Sequence, residues 1–406
     1  MSRTLYLHIG SHKTGSTSIQ NFLARNQGVL AKRGVGYATG SNPTNLNGEV
    51  GATGLGGPDD DEYPLAERAL RVARLILQQK TDHVIASSEG FSYLFDHSAI
   101  ALYHDLLAPA FSTIKIMSFL RRQDQFAVSH HQEGANPQDK PAARLHGHSP
   151  TALPEISALQ HKYLDYETRI GRWGDVFGDA AMALTVYDRA VLKNGDCVAH
   201  FLDAAGLGDI DLTGTPEKNT SMGLAETKLG HILHAIVTDQ NVRANVQRRL
   251  PATDRMLPRR DDARAFLHPY IAGNRRLNAR FSISNNPDLF SDDFSIYPEG
   301  GNQDWTEPTA EAAIRACAEV LEQLSQGAVT FSQGEYRAAA KALRSQRPDI
   351  AEKFLAAAQA IKPQSDRITH RLEKLATRRE KANDSADPSA TLKGRRAERG
   401  AKKRGT

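Results

Sequence analysis

The chain has 406 residues, 40% of them hydrophobic and 24% charged, which is the composition of an ordinary soluble globular protein. Its net charge is +4, and residues 391–406 alone hold seven Lys or Arg against one Glu, so the remainder is close to neutral. The chain as a whole therefore has no strong positive electrostatic field that would attract nucleic acid, and we expect no specific nucleic-acid binding.

The cysteines and the hydropathy of the sequence indicate the cellular location of the protein. Cys197 and Cys317 are far apart in the sequence and show no metal-ligand spacing, so neither a disulfide framework nor a metal site is expected. No stretch has the run of apolar residues that a membrane span needs. The first strand is predicted to begin at Thr4, which leaves no room for a signal peptide. The sequence predicts a cytoplasmic protein.

Strands and helices alternate along most of the chain. Residues 4–9 form the first predicted strand and lead into a helix with Ile19, Phe22 and Leu23 on its buried face. Further strands are predicted at VIASS (84–88), TIKIMSFL (113–120) and MALTVYD (182–188). A surface loop is predicted over 37–64 and a single helix over 156–177. This order predicts an α/β fold: a three-layer sandwich with a mostly parallel central sheet, resembling P-loop proteins, whose ligands bind at the carboxyl ends of the strands.

The C-terminal part differs in character. Ile314, Cys317, Leu321 and Leu324 form a helical stripe, and Ala-rich helices follow with one tetratricopeptide-like spacing, which favours a helical hairpin. We predict three parts: an α/β domain over 1–305, a helical extension over 306–380, and a disordered basic tail over 381–406. The extension and the tail are candidates for weak contact with a protein partner or a membrane.

The loop after the first strand, IGSHKTGST, carries the main functional signal. Gly10 and Gly15 have the separation of a phosphate-binding P-loop, but Ser16 occupies the usual lysine position and Lys13 precedes the second glycine. The amides of residues 13–17 can still surround a phosphate at the start of the helix, with hydroxyl donors from Ser16 and Thr17. The pattern favours phosphate binding over a plain strand-to-helix turn.

The segment Lys13, Thr14, Gly15, Ser16, Thr17 resembles the 5′-phosphosulfate loop of the sulfotransferases. A second element, IKIMSFLRRQDQFAVSHH, resembles that family's 3′-phosphate site: Arg121 ends a strand and Ser129 follows eight residues later on a helix that Asp124 is predicted to cap. Strand alternation should turn the neighbouring Arg122 the other way. The resemblance implies that these residues bind 3′-phosphoadenosine 5′-phosphosulfate (PAPS).

The resemblance also implies a catalytic base. In VIASSEGFSYLF, Glu89 follows a strand at the place where carbohydrate sulfotransferases carry a glutamate that deprotonates the acceptor hydroxyl; a helix-capping role is the plain alternative. His12, His130 and His131 are alternative bases. Lys13 would stabilise charge on the leaving oxygen. The implied reaction is metal-free transfer of a sulfuryl group from PAPS to a hydroxyl or amine, with a carbohydrate or glycolipid as the preferred acceptor.

Two other functions stay open from the sequence. A nucleotide-dependent kinase or NTPase would use Asp188 after a strand to hold a metal, but it also requires lysine where Ser16 stands. A non-catalytic scaffold would bind a protein partner through the C-terminal helices. The presence of Lys13, Glu89, Arg121 and Ser129 together favours an enzyme over a scaffold.

Overall fold

The structure is a computed structural model. It describes residues 3–55, 64–208, 222–325, 336–338, 340–341, 348–361 and 368–375. The chain divides into two compact units, Met1–Val320 and Leu321–Thr406. The predicted disordered tail, 381–406, lies outside the described residues.

A five-stranded sheet forms the centre of the first unit. Its strands are β1 (Thr4–His8), β2 (Val35–Ala38), β3 (His83–Ser87), β4 (Thr113–Leu120) and β5 (Met182–Val186), in the order β2-β3-β1-β4-β5. Every pairing between neighbouring strands is parallel. The α/β fold class and the parallel sheet are confirmed, and β2 is a strand that the sequence analysis missed.

Helices connect and cover the strands. They are α1 (Ser16–Arg25), α2 (Gln27–Lys32), α3 (Asn47–Val50), α4 (Leu65–Gln78), α5 (His97–Leu107), α6 (Gln123–Gly134), α7 (Pro141–His146), α8 (Ala158–Leu164), α9 (Tyr166–Phe177), α10 (Cys197–Ala204), α11 (Leu224–Ile236), α12 (Gln240–Gln247), α13 (Arg260–Leu267), α14 (Ile271–Phe281), α15 (Glu307–Ser325) and α16 (Pro348–Ile361). None of these is long and apolar enough to cross a membrane.

The side-chain alternation of β1 explains the three layers. Leu5 and Leu7 point to one face, where they join a core built with α4, α5, α9 and α14. Tyr6 points to the other face and joins a core with α1 and α10. Both faces of a parallel strand are therefore buried, which is why its sequence is almost continuously apolar.

The helix predicted over 156–177 is two helices. α8 ends at Leu164, and α9 begins after Asp165, whose carboxylate accepts a hydrogen bond from the Thr168 amide at 3.2 Å. The prediction of one helix was wrong because the apolar stripe continues across the break, while the cap at Asp165 redirects the chain.

The surface loop predicted over 37–64 is partly structured. Tyr37 and Ala38 complete β2, and residues 47–50 form α3. Leu46 and Val50 are buried in the core between α3 and the sheet. The prediction was therefore wrong for residues 37–38 and 46–50; residues 56–63 lie outside the described part.

The helix α15 presents a different stripe from the predicted one. Its Ala313, Ala316 and Val320 are buried against α11 and α12, because the small alanines allow these helices to approach closely. Ile314 and Leu321 are instead 69% and 66% exposed. In the second unit, α16 and residues 368–375 bury Ala351, Leu355, Ala358, Ile368 and Leu375 together.

Candidate active site at the carboxyl edge of the sheet

The predicted functional residues follow three adjacent strands. The loop with Lys13 follows β1, Glu89 follows β3, and Arg121 follows β4. Since β1 lies between β3 and β4 in a parallel sheet, these three chain segments leave the sheet side by side. We refer to this region as the carboxyl edge.

The loop from Gly10 to Gly15 has a conformation that requires its glycines. Both have positive φ, 95° and 83°, which side chains rarely adopt. At Gly15 a Cβ would also lie 2.4 Å from the Cys197 sulfur, at the start of α10. Inside the loop the Ser11 carbonyl accepts hydrogen bonds from Thr14 Oγ1 at 2.7 Å and Ser16 Oγ at 3.0 Å. These two buried hydroxyls therefore hold the loop closed.

The backbone amides at the loop and the start of α1 are open. Within the described part of the chain, the N–H groups of residues 13–18 donate no hydrogen bond to another residue. They surround the N-terminal end of α1, where unpaired amides and the helix dipole favour an anion. The arrangement is suited to a phosphate or sulfate group.

Arg121 lies against the same loop. Its Nη1 donates to the Lys13 carbonyl at 3.1 Å, and its guanidinium carbon lies 5.9 Å from the centre of the Tyr187 ring. Its buried Nε has no partner in the described structure, and burial lowers the pKa of the guanidinium. Ser129 is half-buried in the second turn of α6, and its hydroxyl makes no hydrogen bond to another described residue.

Arg122 turns away from the loop. It forms an ion pair with Asp124, with Nε at 2.7 Å from Oδ1. Asp124 also accepts a hydrogen bond from the Tyr297 hydroxyl at 2.8 Å. The prediction that Asp124 caps α6 was wrong: the helix begins after Arg122 without a side-chain cap, because the carboxylate is already engaged.

Glu89 is held in the short 3-10 turn Glu89–Tyr93. The turn is capped by Ser88, whose side chain accepts from the Gly90 amide, so capping is not the role of Glu89. Asn47 of α3 contacts Glu89 twice: its Oδ1 accepts from the Glu89 amide at 3.0 Å, and its Nδ2 donates to Oε2 at 3.2 Å.

The electrostatic surroundings make Glu89 a weak acid. Burial raises the pKa of its carboxyl to about 7, and the neighbouring charge of Glu133 adds to the rise. Hydrogen bonds from Asn47 and Ser16 and the charge of Lys13 oppose it. The Ser16 hydroxyl lies within reach of both the Ser11 carbonyl and the Glu89 carboxylate and can donate to one at a time. A carboxyl with a pKa near 7 is suited to accept a proton at neutral pH.

The Lys13 side chain is linked to α6. Its Nζ lies 3.5 Å from Oε2 of Glu133. Glu133 therefore touches the loop lysine while its charge acts on the pKa of Glu89. The sequence analysis did not identify Glu133 or Asn47.

Of the three candidate histidines, His12 and His130 lie together, and His131 contacts a different ring. His12 Nδ1 lies 2.9 Å from the Tyr163 hydroxyl, and its ring centre is 5.0 Å from that of His130. Burial, with the charges of Arg169 and Lys13, lowers the pKa of His12 to about 3, which makes it a much poorer proton acceptor than Glu89 near neutral pH. His131 stacks on His231 at 4.0 Å instead.

A cavity of about 690 Å³ opens beside Glu89. Glu89, His12, His130 and Glu133 form part of its wall. The remaining wall is rich in charged side chains: Glu49, Glu67, Arg68, Arg71, Lys140 and Arg144. The candidate base thus faces a polar space, whereas Arg121 and Ser129 are not among its lining residues.

The kinase alternative gains no support from this edge. Asp188 is exposed after β5, and its Oδ1 accepts a hydrogen bond from the Ala190 amide at 2.9 Å. β5 pairs with β4 and not with β1. Among the described residues, no group of three or more His, Cys, Asp or Glu is arranged to hold a metal ion.

Comparison with known proteins adds little to this geometry. No protein-family model matches the chain. Over 163 residues, 40% of the chain, it is 26% identical to an uncharacterised protein of Archaeoglobus fulgidus, and the match spans 39% of that protein. A solved sulfotransferase from Alicyclobacillus acidocaldarius aligns with 71% of this chain and 100% of its own, with a TM-score of 0.38 and 14% identity. Similarity at this level supports no assignment of activity, which has to come from the carboxyl edge itself.

Proposed function

We propose that the chain is a sulfotransferase that uses PAPS as donor and a hydroxyl or amine of a carbohydrate-like molecule as acceptor. One observation carries the proposal: open loop amides, Lys13 and Arg121 meet at one edge of the sheet, next to a glutamate whose pKa is raised to about 7. Anion-binding groups and a proton acceptor are the two parts that sulfuryl transfer to a hydroxyl needs.

The anion-binding groups fit the donor. The amides of residues 13–18, with Lys13 beside them, would hold the 5′-phosphosulfate end, and Thr14, Gly15, Ser16 and Thr17 shape that loop. Arg121, with a buried Nε that lacks a partner, and Ser129 would hold the 3′-phosphate. When bound, PAPS supplies an activated sulfuryl group.

Glu89 and Lys13 would divide the chemical work. Glu89 takes the proton of the acceptor hydroxyl, which its raised pKa allows at neutral pH. Lys13 places a positive charge at the loop, where negative charge develops as the bond to the donor breaks. Glu133 has its Oε2 3.5 Å from the Lys13 Nζ, and its charge helps to raise the pKa of Glu89.

The cavity next to Glu89 supports a polar acceptor. Its volume of about 690 Å³ is that of a small-molecule site. Charged side chains line it, and an apolar acceptor would remove them from water without offering hydrogen bonds in return. A molecule with several hydroxyl or amino groups would instead pair with them. This favours a carbohydrate or a glycolipid head group.

Ligand-induced thermal stabilisation tests the donor site. We expect 3′-phosphoadenosine 5′-phosphate to raise the melting temperature of the full chain, and ATP with magnesium to have little effect. Stabilisation by ATP with magnesium alone would overturn the proposal in favour of the kinase, and stabilisation by neither would favour the scaffold. Transfer of label from [³⁵S]PAPS to a panel of sugars, glycolipids and amines then identifies the acceptor.

A further inference from the structure

A buried arginine that the sequence analysis did not identify lies beneath the Gly10–Gly15 loop. Arg169, on α9, is 1% exposed. Its Nη2 donates to Ser11 Oγ at 3.1 Å, and its Nε donates to the Tyr163 carbonyl at 2.8 Å. Its Nη1 is buried and has no hydrogen-bond partner in the described structure.

The charge of Arg169 is not balanced by a carboxylate. Across the described ranges, no Asp or Glu oxygen lies within ion-pair distance, 4.0 Å, of its guanidinium. Two other buried arginines differ: Arg122 pairs with Asp124, and Arg243 pairs with Asp139 at 2.8 Å. A buried cation without a counter-ion is strongly unfavourable. The rings of Tyr163 and Tyr166, 4.5 and 5.1 Å from the guanidinium carbon, offset only part of this.

Arg169 is connected to the candidate active site by two short paths. Arg169 contacts Ser11, which belongs to the loop. The Ser11 carbonyl accepts hydrogen bonds from the hydroxyls of Thr14 and Ser16. Tyr163, which Arg169 also contacts, bonds through its hydroxyl to the amide and Nδ1 of His12. Arg169, which has no carboxylate partner in the described structure, therefore lies beside the loop at which a bound anion would balance its charge.

We propose that Arg169 is a positioning residue for the donor: it is the buried counter-cation of the phosphosulfate group and acts on it through Ser11 and the loop. The inference rests on the proposed function, since PAPS supplies the anion. In the low dielectric below the loop, the guanidinium attracts the anion that the open amides hold. It also orients Ser11, which organises the two inner hydroxyls of the loop.

The experiment separates ligand binding from folding in the full chain. Melting temperature is measured without ligand, and the Kd of 3′-phosphoadenosine 5′-phosphate is measured by calorimetry, for the wild type, Arg169→Met, Arg169→Gln and Arg169→Lys. The matched control is Arg122→Met, which removes a buried arginine that has its own carboxylate.

We expect the unliganded Arg169→Met chain to melt at or above the wild-type temperature, because an unbalanced buried charge is gone. Its Kd for the nucleotide should rise about 10- to 100-fold, the effect of one lost charge-assisted interaction. Arg169→Lys should keep most of the affinity. Arg122→Met should melt lower, with a nucleotide Kd within about threefold of wild type.

The outcomes that would overturn the inference are distinct. A lower melting temperature in Arg169→Met with an unchanged Kd would show a structural role alone. If that variant does not fold, equal Kd values for Arg169→Gln and Arg169→Lys would overturn it as well, since only the lysine keeps the charge. A wild-type chain that does not bind the nucleotide would overturn the proposed function and this inference together, whereas wild-type binding with an unchanged Kd in the variants overturns the inference alone.

Discussion

Two adjacent arginines at the end of β4 are used in opposite ways. Arg122 is saturated: beside its ion pair with Asp124, its Nη1 donates to the carbonyls of Ser291 and Asp293 at 2.6 and 2.7 Å. Arg121 makes a single hydrogen bond, to the Lys13 carbonyl, and keeps a buried Nε without a partner in the described structure.

The number of unsatisfied donors distinguishes an arginine that stabilises the fold from one that is available to bind a ligand. A buried cation whose donors are all satisfied stabilises the fold and has nothing left to offer a ligand. A buried cation with open donors raises the free energy of the unliganded chain and is relieved when an anion binds. By this criterion Arg121 and Arg169 belong with the open amides of the loop, whereas Arg122 belongs with the core.

The largest expected effect concerns Glu89, the proposed proton acceptor. Glu89→Gln should lower the rate of sulfuryl transfer by about 10²–10⁴-fold, since it removes the proton acceptor while keeping the shape. The measurement is turnover with saturating labelled donor. The control is Glu155→Gln, which changes an exposed carboxylate outside the cavity wall and should leave the rate within about threefold. Full turnover by Glu89→Gln would transfer the base role to His12 or His130.

The pH dependence follows from the same group. Because the folded pKa of Glu89 is about 7 and its unfolded value is about 4.3, ionising it destabilises the fold as pH rises from about 4.5 through 7. Glu89→Gln should therefore melt higher than the wild type at pH 8 and equally at pH 4. Wild-type turnover should rise with pH through about 7. A flat profile would be inconsistent with a glutamate base.

The next effect tests the saturated arginine. Arg122→Met should lower the free energy of unfolding by about 3–5 kcal/mol, because Asp124 is left buried with its charge unpaired. Urea denaturation at pH 7 measures the loss. The double variant Arg122→Met with Asp124→Leu should recover most of it, since both charges are then absent. A single variant as stable as the wild type would remove the distinction between the two arginines.

Arg121→Ala should have the converse effect. We expect the Kd of 3′-phosphoadenosine 5′-phosphate to rise about 10- to 100-fold, while the unliganded melting temperature changes little, because the side chain makes a single hydrogen bond within the described chain. Calorimetric titration measures it, with Arg33→Ala, an exposed arginine between α2 and β2, as the control. A large drop in stability with unchanged binding would assign Arg121 to the core.

The smallest effect is expected at Ser129. A neutral hydroxyl contributes about 0.5–1.5 kcal/mol, so Ser129→Ala should weaken nucleotide binding by about 2- to 10-fold. The exposed Ser98 of α5 provides the control, Ser98→Ala, with no change in Kd. Identical affinities in the two variants would remove Ser129 from the donor site and leave Arg121 without its predicted partner.

Several elements were predictable because their signals are local. The strand predicted at TIKIMSFL coincides with β4 from Thr113 to Leu120, and the loop expected between Gly10 and Gly15 connects β1 to α1, with positive φ at both glycines. β2 was missed because VGYA is a short edge strand beside a glycine-rich stretch. The break at Asp165 was missed because hydrophobic periodicity continues on both sides of it.

The site residues that were missed have no comparable signal. Asn47 lies in a polar loop sequence, and its contact with Glu89 exists only because α3 folds against the end of β3. Arg169 follows Tyr166 by one turn, so it falls on the apolar face of α9; an arginine in that place is the one hint that the sequence contained.

The amino-acid sequence by itself determined the alternation of strands and helices, the glycine positions of the loop and the types of polar residue at the strand ends, because these depend on the preferences of neighbouring residues. Tertiary structure alone decided which cations are satisfied and which are open, and it set the pKa of Glu89. Those properties depend on burial and on partners that are distant in the chain, such as Ser11 for Arg169 and Asn47 for Glu89. Composition and periodicity carry no information about such distances.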